Sequence, residues 1–222
     1  MNTYHTLAEV DYVGCRDPRV LWTTYGLPAD LRGKSVLDIG TWDGGFSLVA
    51  CERGAQSVVA LDKFWTPDRP IGPIIESIQH VKVVTKAPFV IKAHDITWPL
   101  AETYDLVLFL QVFYHMLNPV AGFINASNCT KLRGLLFVET LVNTRSTIPA
   151  LYWIGREKST DFWQPSVALI ECLCKANGMT CEKTWQVDNR ICWRCERVAP
   201  LRYACESLLT LDNARDGLEY YV

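Results

Sequence analysis

The segment Val36–Asp62, VLDIGTWDGGFSLVACERGAQSVVALD, constrains this chain more than any other stretch. Val36-Leu37-Asp38-Ile39 is a short apolar run broken by one carboxylate, and Gly40 ends it. Phe46, Leu48, Val49 and Cys51 set an apolar stripe at helical spacing that stops at Gly54. Val58-Val59-Ala60-Leu61 is a second apolar run, with Asp62 at its carboxyl end, 24 positions after Asp38. Strand, glycine loop, helix and strand in that order predict a βαβ unit, hence a parallel sheet covered on both faces. Ligands of open α/β sheets bind at the carboxyl ends of the strands, near a topological switch point. Asp62 stands where a ribose diol would be held, so the unit reads as a nucleoside site. The alternative is a βαβ unit that holds no ligand.

The loop chemistry narrows the ligand. Dinucleotide folds use G-x-G-x-x-G, whose glycines let the backbone approach a pyrophosphate at a helix N-terminus. Here the register is Asp38-x-Gly40-x-Trp42-x-Gly44, with bulky Trp42 at the middle position and Asp43 inside the loop. Carboxylates repel phosphate and suit a cationic, phosphate-free ligand. S-adenosylmethionine, with an ammonium and a sulfonium, has that character. The acid-first glycine loop resembles motif I of class I S-adenosylmethionine-dependent methyltransferases. Gly44 is expected to need positive φ or simple clearance where the loop passes the cofactor.

The 222 residues suit one domain with a sizeable core, and 49% hydrophobic content marks a globular chain. A net charge of −2 and the lack of a long basic run give no electrostatic argument for nucleic acid, although a local basic patch stays possible. No apolar stretch reaches 18 residues and the first dozen residues do not read as a signal peptide. The expectation is a cytoplasmic protein without a membrane span, its nine cysteines reduced. Cys192-x-x-Cys195, with Cys172, Cys174 and Cys181 upstream, invites a zinc reading. In a strand, however, residues three apart face opposite sides, and in a helix residues two apart diverge. Convergent ligation therefore fails, and buried free thiols with no metal are the better reading.

The remaining chain alternates strand and helix. Ile71, Ile74, Ile75, Ile78 and Val81 predict a helix over 71–84 after a turn at Lys63-Phe64-Trp65-Thr66-Pro67. Phe89-Val90-Ile91 opens a third strand that ends near His94-Asp95. Asp105–Leu110 is a central strand and 118–126 a short helix. Leu135–Val142 is a fifth strand, 166–176 a helix stopped by Asn177-Gly178, and 180–187 with 190–198 a hairpin turning at Asp188-Asn189. The predicted fold is α/β: a Rossmann-like seven-stranded, mostly parallel sheet with helices on both faces and one antiparallel strand near the C-terminus. A single domain over 1–222 is expected, with its core at about 30–198, a cap segment at 1–29 and an extension at 199–222 that includes a helix around Tyr203–Leu211. Tyr4-His5-Thr6, Trp22 and Tyr25 either cap the pocket or pack at the domain edge. The aromatic stretch Tyr152-Trp153 and Phe162-Trp163, around Arg156-Glu157-Lys158, is either a substrate lid or an ordinary loop.

Later segments resemble one methyltransferase subgroup, the relatives of the tRNA wobble-uridine 5-carboxymethoxy methyltransferase. Gln111-Val112-Phe113-Tyr114-His115-Met116-Leu117-Asn118-Pro119 is similar to its "VLYH…P" segment, and Phe137-Val138-Glu139-Thr140-Leu141-Val142 to its "LETLV" strand. Trp163-Gln164-Pro165-Ser166 followed by Asn177-Gly178-Met179 is similar to "(F/W)xPS…CGF", Arg190 opens the last strand as an arginine does there, and Tyr4-His5-Thr6 resembles a "YHT" element. The resemblance implies that Asp38, Gly40, Thr41 and Gly44 frame the methionine end of the cofactor and that Asp62 holds the ribose. It also implies Asp95 at the adenine amino group with Ile96 beside the ring, and Gln111 under the cofactor. Tyr114 and His115 would face the transferred group as catalytic residues. Glu139, Arg190 and Trp163 are substrate-side candidates. In the tRNA enzyme the tyrosine and terminal-strand arginine help hold the extra carboxylate of carboxy-S-adenosylmethionine. Tyr114 and Arg190 keep that pair, whereas the long N-terminal extension that supplies a lysine there has only a short counterpart here. The expectation is S-adenosylmethionine as donor to a small-molecule acceptor. The alternatives are carboxymethyl transfer to tRNA and a non-catalytic S-adenosylmethionine-binding protein.

Overall fold

Central parallel strands lose both faces to packing, and the two most apolar runs occupy the centre here. The computed structural model describes residues 5–10, 14–63, 72–155 and 161–200, the side chains of 72–75 excepted. β1 (Ser35–Ile39) pairs in parallel with β2 (Ser57–Asp62) on one side and with β4 (Tyr104–Leu110) on the other. β3 (Val90–Ala93) extends the sheet beyond β2, and β5 (Thr130–Leu141) pairs in parallel with β4. A closing hairpin, β8 (Met179–Val187) and β9 (Arg190–Arg197), pairs antiparallel to β5 through β9. The order is β3-β2-β1-β4-β5-β9-β8, as expected: seven strands of which only β9 runs against the rest. The chain reverses its direction of travel between β1 and β4. That is the switch point, and the loops after β1, β2 and β4 meet there.

Helices α1 (Pro18–Thr24), α2 (Gly45–Glu52) and α3 (Gly72–Thr85) cover one face, where Trp22, Leu48, Val49, Ile78 and Val81 pack with Val36 and Leu108. Helices α4 (Pro119–Asn128) and α5 (Val167–Ala176) cover the other, burying Phe123, Ala126, Ile170 and Cys174 against Leu37, Phe109 and Val138. Each begins with the local chemistry its sequence dictates. Asp17, Asn118 and Ser166 accept from the amides of Arg19, Ala121 and Leu169. The β8–β9 turn is the two-residue one predicted, with Asp188 at φ +51°. Cys192 and Cys195 do face opposite sides: each belongs to a different core, and Cys195 lies 3.5 Å from Cys174. Cys172, by contrast, is exposed rather than buried.

Three elements depart from expectation. The aromatic stretch is a two-stranded hairpin, β6 (Leu151–Trp153) with β7 (Trp163–Pro165). α1 is a helix that the strand–helix alternation of the sequence does not include. β5 starts five residues early, its first part half-exposed and joined through Arg133 at φ +65°. The turn at 64–67, the helix around 203–211, Tyr4 and the basic tip 156–158 lie outside the described residues. No described helix is long and apolar enough to cross a membrane.

Candidate functional site

One half of the candidate site is the loop from Asp38 to Gly44. Gly40 holds φ +69°, and its amide and that of Thr41 donate to the Leu61 carbonyl at 2.7 and 3.2 Å, which ties the loop to β2. Trp42, at φ +52°, directs its amide to the Asp62 carboxylate at 3.3 Å. Asp62 therefore closes the loop from the tip of β2, itself buried. Asp38 is also buried, and Ser47 on α2 donates to it at 2.7 Å. Burial pushes the Asp38 carboxyl up, while hydrogen bonds from Ser47 and Thr41 pull it down. Burial is the stronger effect, so the Asp38 carboxyl is held above its ordinary range. The carboxyls of Asp38, Asp43 and Asp62 around this loop suit a cationic ligand better than a pyrophosphate.

Two glycines need their missing side chains for different reasons. A Cβ on Gly40 would lie 2.4 Å from a methyl of Val112, so the loops after β1 and β4 are pressed together there. A Cβ on Gly44, at φ +82°, would lie 2.9 Å from Ile78 and 3.4 Å from Phe89. The clearance expected at Gly44 is real, but the core requires it.

The other half is built at the ends of β4, β5 and β9. Gln111 follows β4 at φ +63°, an uncommon conformation for a residue with a side chain. Its amide donates to the Glu139 carbonyl at 2.9 Å, and its side-chain nitrogen reaches the Tyr25 hydroxyl at 3.5 Å. Glu139 is fully buried and takes a two-pronged bond from Arg190, Nε to Oε1 at 2.8 Å and Nη2 to Oε2 at 2.9 Å. The same Nη2 donates to the Tyr114 hydroxyl at 3.1 Å, and the guanidinium lies 5.3 Å from the Tyr114 ring centre. Burial opposes the charge on Arg190, yet the bonds to Glu139 hold it firmly protonated. Burial likewise pushes the Glu139 carboxyl up, against the pull of Arg190. Tyr25 packs on Trp185 with centroids 5.1 Å apart, and burial, with Glu139 beside it, raises its phenol well above the ordinary value.

His115 and Trp163 sit at the rim. His115 is exposed and pairs with Asp161 at 3.2 Å. Trp163 donates to the Leu117 carbonyl at 3.2 Å, and the Phe162 amide to the Tyr114 carbonyl at 2.7 Å. The β6–β7 hairpin is thus bolted to the 3₁₀ turn Phe113–His115 that carries Tyr114. Asp95 lies just past His94, whose amide donates to the Asp62 carbonyl. Its carboxylate accepts from the Thr97 amide and hydroxyl, both at 2.9 Å. Ile96 turns into the core with Phe109 and Phe123. The expected residues therefore fall into two groups, Asp38–Asp62 and Gln111–Tyr114–Glu139–Arg190, flanking the switch point. Sequence reasoning missed Ser47 as the partner of Asp38 and Tyr25 as the partner of Gln111. A hydroxyl one turn into a helix and a tyrosine before the sheet carry no periodic signal of such roles.

Residues 19–183 match a family model described as a methyltransferase domain. The tRNA U34 carboxymethyltransferase of Pseudomonas paraeruginosa is 25% identical over 159 residues, 71% of this chain and 48% of the relative. That of Pseudomonas fluorescens is 27% identical over 161 residues, 72% and 49%. The chain spans about half the length of the curated relatives it matches. Among solved structures, an O-methyltransferase family protein from Burkholderia thailandensis superposes with a TM-score of 0.62 at 10% identity, covering 82% of this chain and 56% of that one. With its strand order, switch-point site and family match, this chain belongs to the methyltransferase domain family and has the class I S-adenosylmethionine-dependent methyltransferase fold.

Proposed function

We propose that the chain moves a methyl group from S-adenosylmethionine to a small-molecule acceptor. The observation that carries this reading is the buried bond between Arg190 and Glu139. A guanidinium already matched by a buried carboxylate gains little from a second anion, so the ordinary donor is favoured over its carboxylated form. The bound donor supplies a methyl group on a sulfonium, activated for displacement. Asp62 would accept from the ribose hydroxyls, and Asp38, Thr41 and the Gly40–Gly44 backbone would hold the amino-acid end. Gln111 would lie under the donor. Tyr114, fixed by Arg190, would form the wall against which the acceptor is aligned, and alignment in a water-poor pocket is the main catalytic device. His115, paired with Asp161, is placed to take a proton from an acceptor that must lose one. The aromatic hairpin with Trp153, Phe162 and Trp163 suits a flat acceptor. Solved neighbours of this fold include a 1,6-didemethyltoxoflavin-N1-methyltransferase and a mitomycin 7-O-methyltransferase. A net charge of −2 does not support a nucleic-acid acceptor, and nine cysteines suit a reducing cytoplasm.

Competition titration calorimetry with the two donors tests this. Wild type should prefer S-adenosylmethionine, and Asp62→Ala should lose roughly 1.5–3 kcal/mol of that affinity per bond removed from the charged group. A clear preference for the carboxylated donor, lost in Arg190→Ala, would promote the tRNA-type reading suggested by the longer tRNA U34 carboxymethyltransferases. Unchanged affinity in Asp62→Ala would remove the donor site from β2.

A further inference from the structure

His5 joins residues outside the βαβ unit to the Asp38–Gly44 loop. His5 forms a parallel bridge with Arg16, the Thr6 amide donates to the Arg16 carbonyl at 2.7 Å, and the Thr6 hydroxyl bonds the Gly14 backbone. Leu7 and Val10 anchor the segment in the core beside α3. It meets the donor loop through His5. The His5 amide donates to one Asp43 oxygen at 2.8 Å, and ring Nδ1 meets the other at 2.5 Å. Both residues are buried. The ring stands edge-on to Phe46, with centroids 5.1 Å apart, and lies directly over Gly45, where a Cβ would come within 2.4 Å of Nδ1. Asp43 also accepts from the Gly45 amide at 3.2 Å, so His5 grips the residue that turns the loop into α2.

We propose that residues 5–10, bound to Gly14 and Arg16, are a strap that shapes the donor loop, with His5 as a positioning residue acting through Asp43. This rests on the Asp38–Gly44 loop being the donor site. Both oxygens of Asp43 are engaged by a segment outside the βαβ unit, so the Gly40–Gly44 backbone is fixed before the donor arrives. Loops organised in advance bind more tightly because less ordering remains to be done. The small residue at position 45 is what admits the imidazole. Gly45 therefore belongs with His5 in this device.

Two variants separate this role from general stability. His5→Ala deletes the grip, and Gly45→Ala displaces the ring while leaving His5 in place and favouring helix. Titration with S-adenosylhomocysteine should show about tenfold or greater weakening in each, the scale of one lost bond to a charged group. The double variant should bind no more weakly than the weaker single one, because both remove the same contact. Amide exchange at Gly44, Gly45 and Phe46 in the ligand-free protein should rise in both. Wild-type affinity in a folded His5→Ala overturns the proposal. If His5→Ala does not fold, wild-type affinity in Gly45→Ala overturns it. If wild type itself binds no S-adenosylhomocysteine, the donor reading fails, and the exchange data still judge the strap: unchanged exchange refutes it.

Discussion

Replacing Glu139 with glutamine keeps the shape of the side chain and removes its charge, so it isolates what the buried carboxylate does. In the native protein Glu139 is fully enclosed, and the Arg190 side chain is 19% exposed. Glu139→Gln leaves a mostly buried cation facing an amide that can accept one bond while its NH₂ opposes the other prong. Removing one partner of a buried ion pair costs about 3–5 kcal/mol. The surviving bond and the partial exposure of Arg190 place this case near the lower end, about 3 kcal/mol. For a chain of this size that is a fall in melting temperature of roughly 6–12 °C. Thermal and urea unfolding measure it, with an unchanged urea slope showing that the unfolded state is not the cause. Glu139→Leu combined with Arg190→Met should be less damaging than Glu139→Gln alone, because neither charge is then stranded. A Glu139→Gln protein within about 1 kcal/mol of wild type would refute the reasoning, since surface pairs alone are worth that little. So would a double variant whose cost equals the sum of its two single replacements.

Gly40→Ala should cost about 1–3 kcal/mol, because a side chain at φ +69° is strained and its Cβ meets Val112. Adding Val112→Ala should recover the overlap but not the strain, which paired melts would show; a Gly40→Ala protein as stable as wild type would deny both. Asp105 supplies a pH test. Burial pushes its carboxyl up, but the Ser35 amide, the Lys131 ammonium and the Ser35 hydroxyl together hold it well below the ordinary range. A carboxyl lowered on folding stabilises above its unfolded value and loses that stabilisation as pH falls through the folded one. The stability gap between wild type and Asp105→Asn should therefore be steady from pH 7 down to about 4, the unfolded value, and narrow below it. A gap that widens on acidification would reverse the assignment.

The parts of the fold that were legible were those with a single burial regime. β1, β2 and β4 are mostly buried, so they read as apolar runs, interrupted in β1 only by Asp38. The β6–β7 hairpin was not legible because each strand is three residues long and half-exposed, too short for any alternation to register. α1 was hidden in the same way: seven residues, PRVLWTT, bury only Pro18, Leu21 and Trp22, too few to set a period. The Glu139–Arg190 pair was foreseeable in kind, since a buried arginine wants an anion. The antiparallel register shows why these two meet: Leu141 stands opposite Arg190, which makes Glu139 its diagonal neighbour on the same face. His5 and Asp43 are 38 positions apart with no shared period, and only the folded chain brings them together.

The charges of the site follow one logic across both halves. Asp43 is answered by His5 and Glu139 by Arg190, so each of these buried anions is matched inside the protein. Asp38 is met by the hydroxyls of Ser47 and Thr41, and burial still holds its carboxyl above the ordinary range. The end of β1 is thus lined by acidic side chains, while the wall at the ends of β5 and β9 pairs its buried carboxylate with Arg190. Adding a carboxylate to the donor would favour the reverse arrangement, an arginine left unmatched at Tyr114. The backbone strain at Gln111 lies on the boundary between these two halves, held by the Glu139 carbonyl on one side and Tyr25 on the other. A conformation of that cost persists only where the surroundings enforce it, and here both neighbours belong to that wall. Gln111 thus ties the geometry of the wall to the tip of β4, the strand that borders the donor loop.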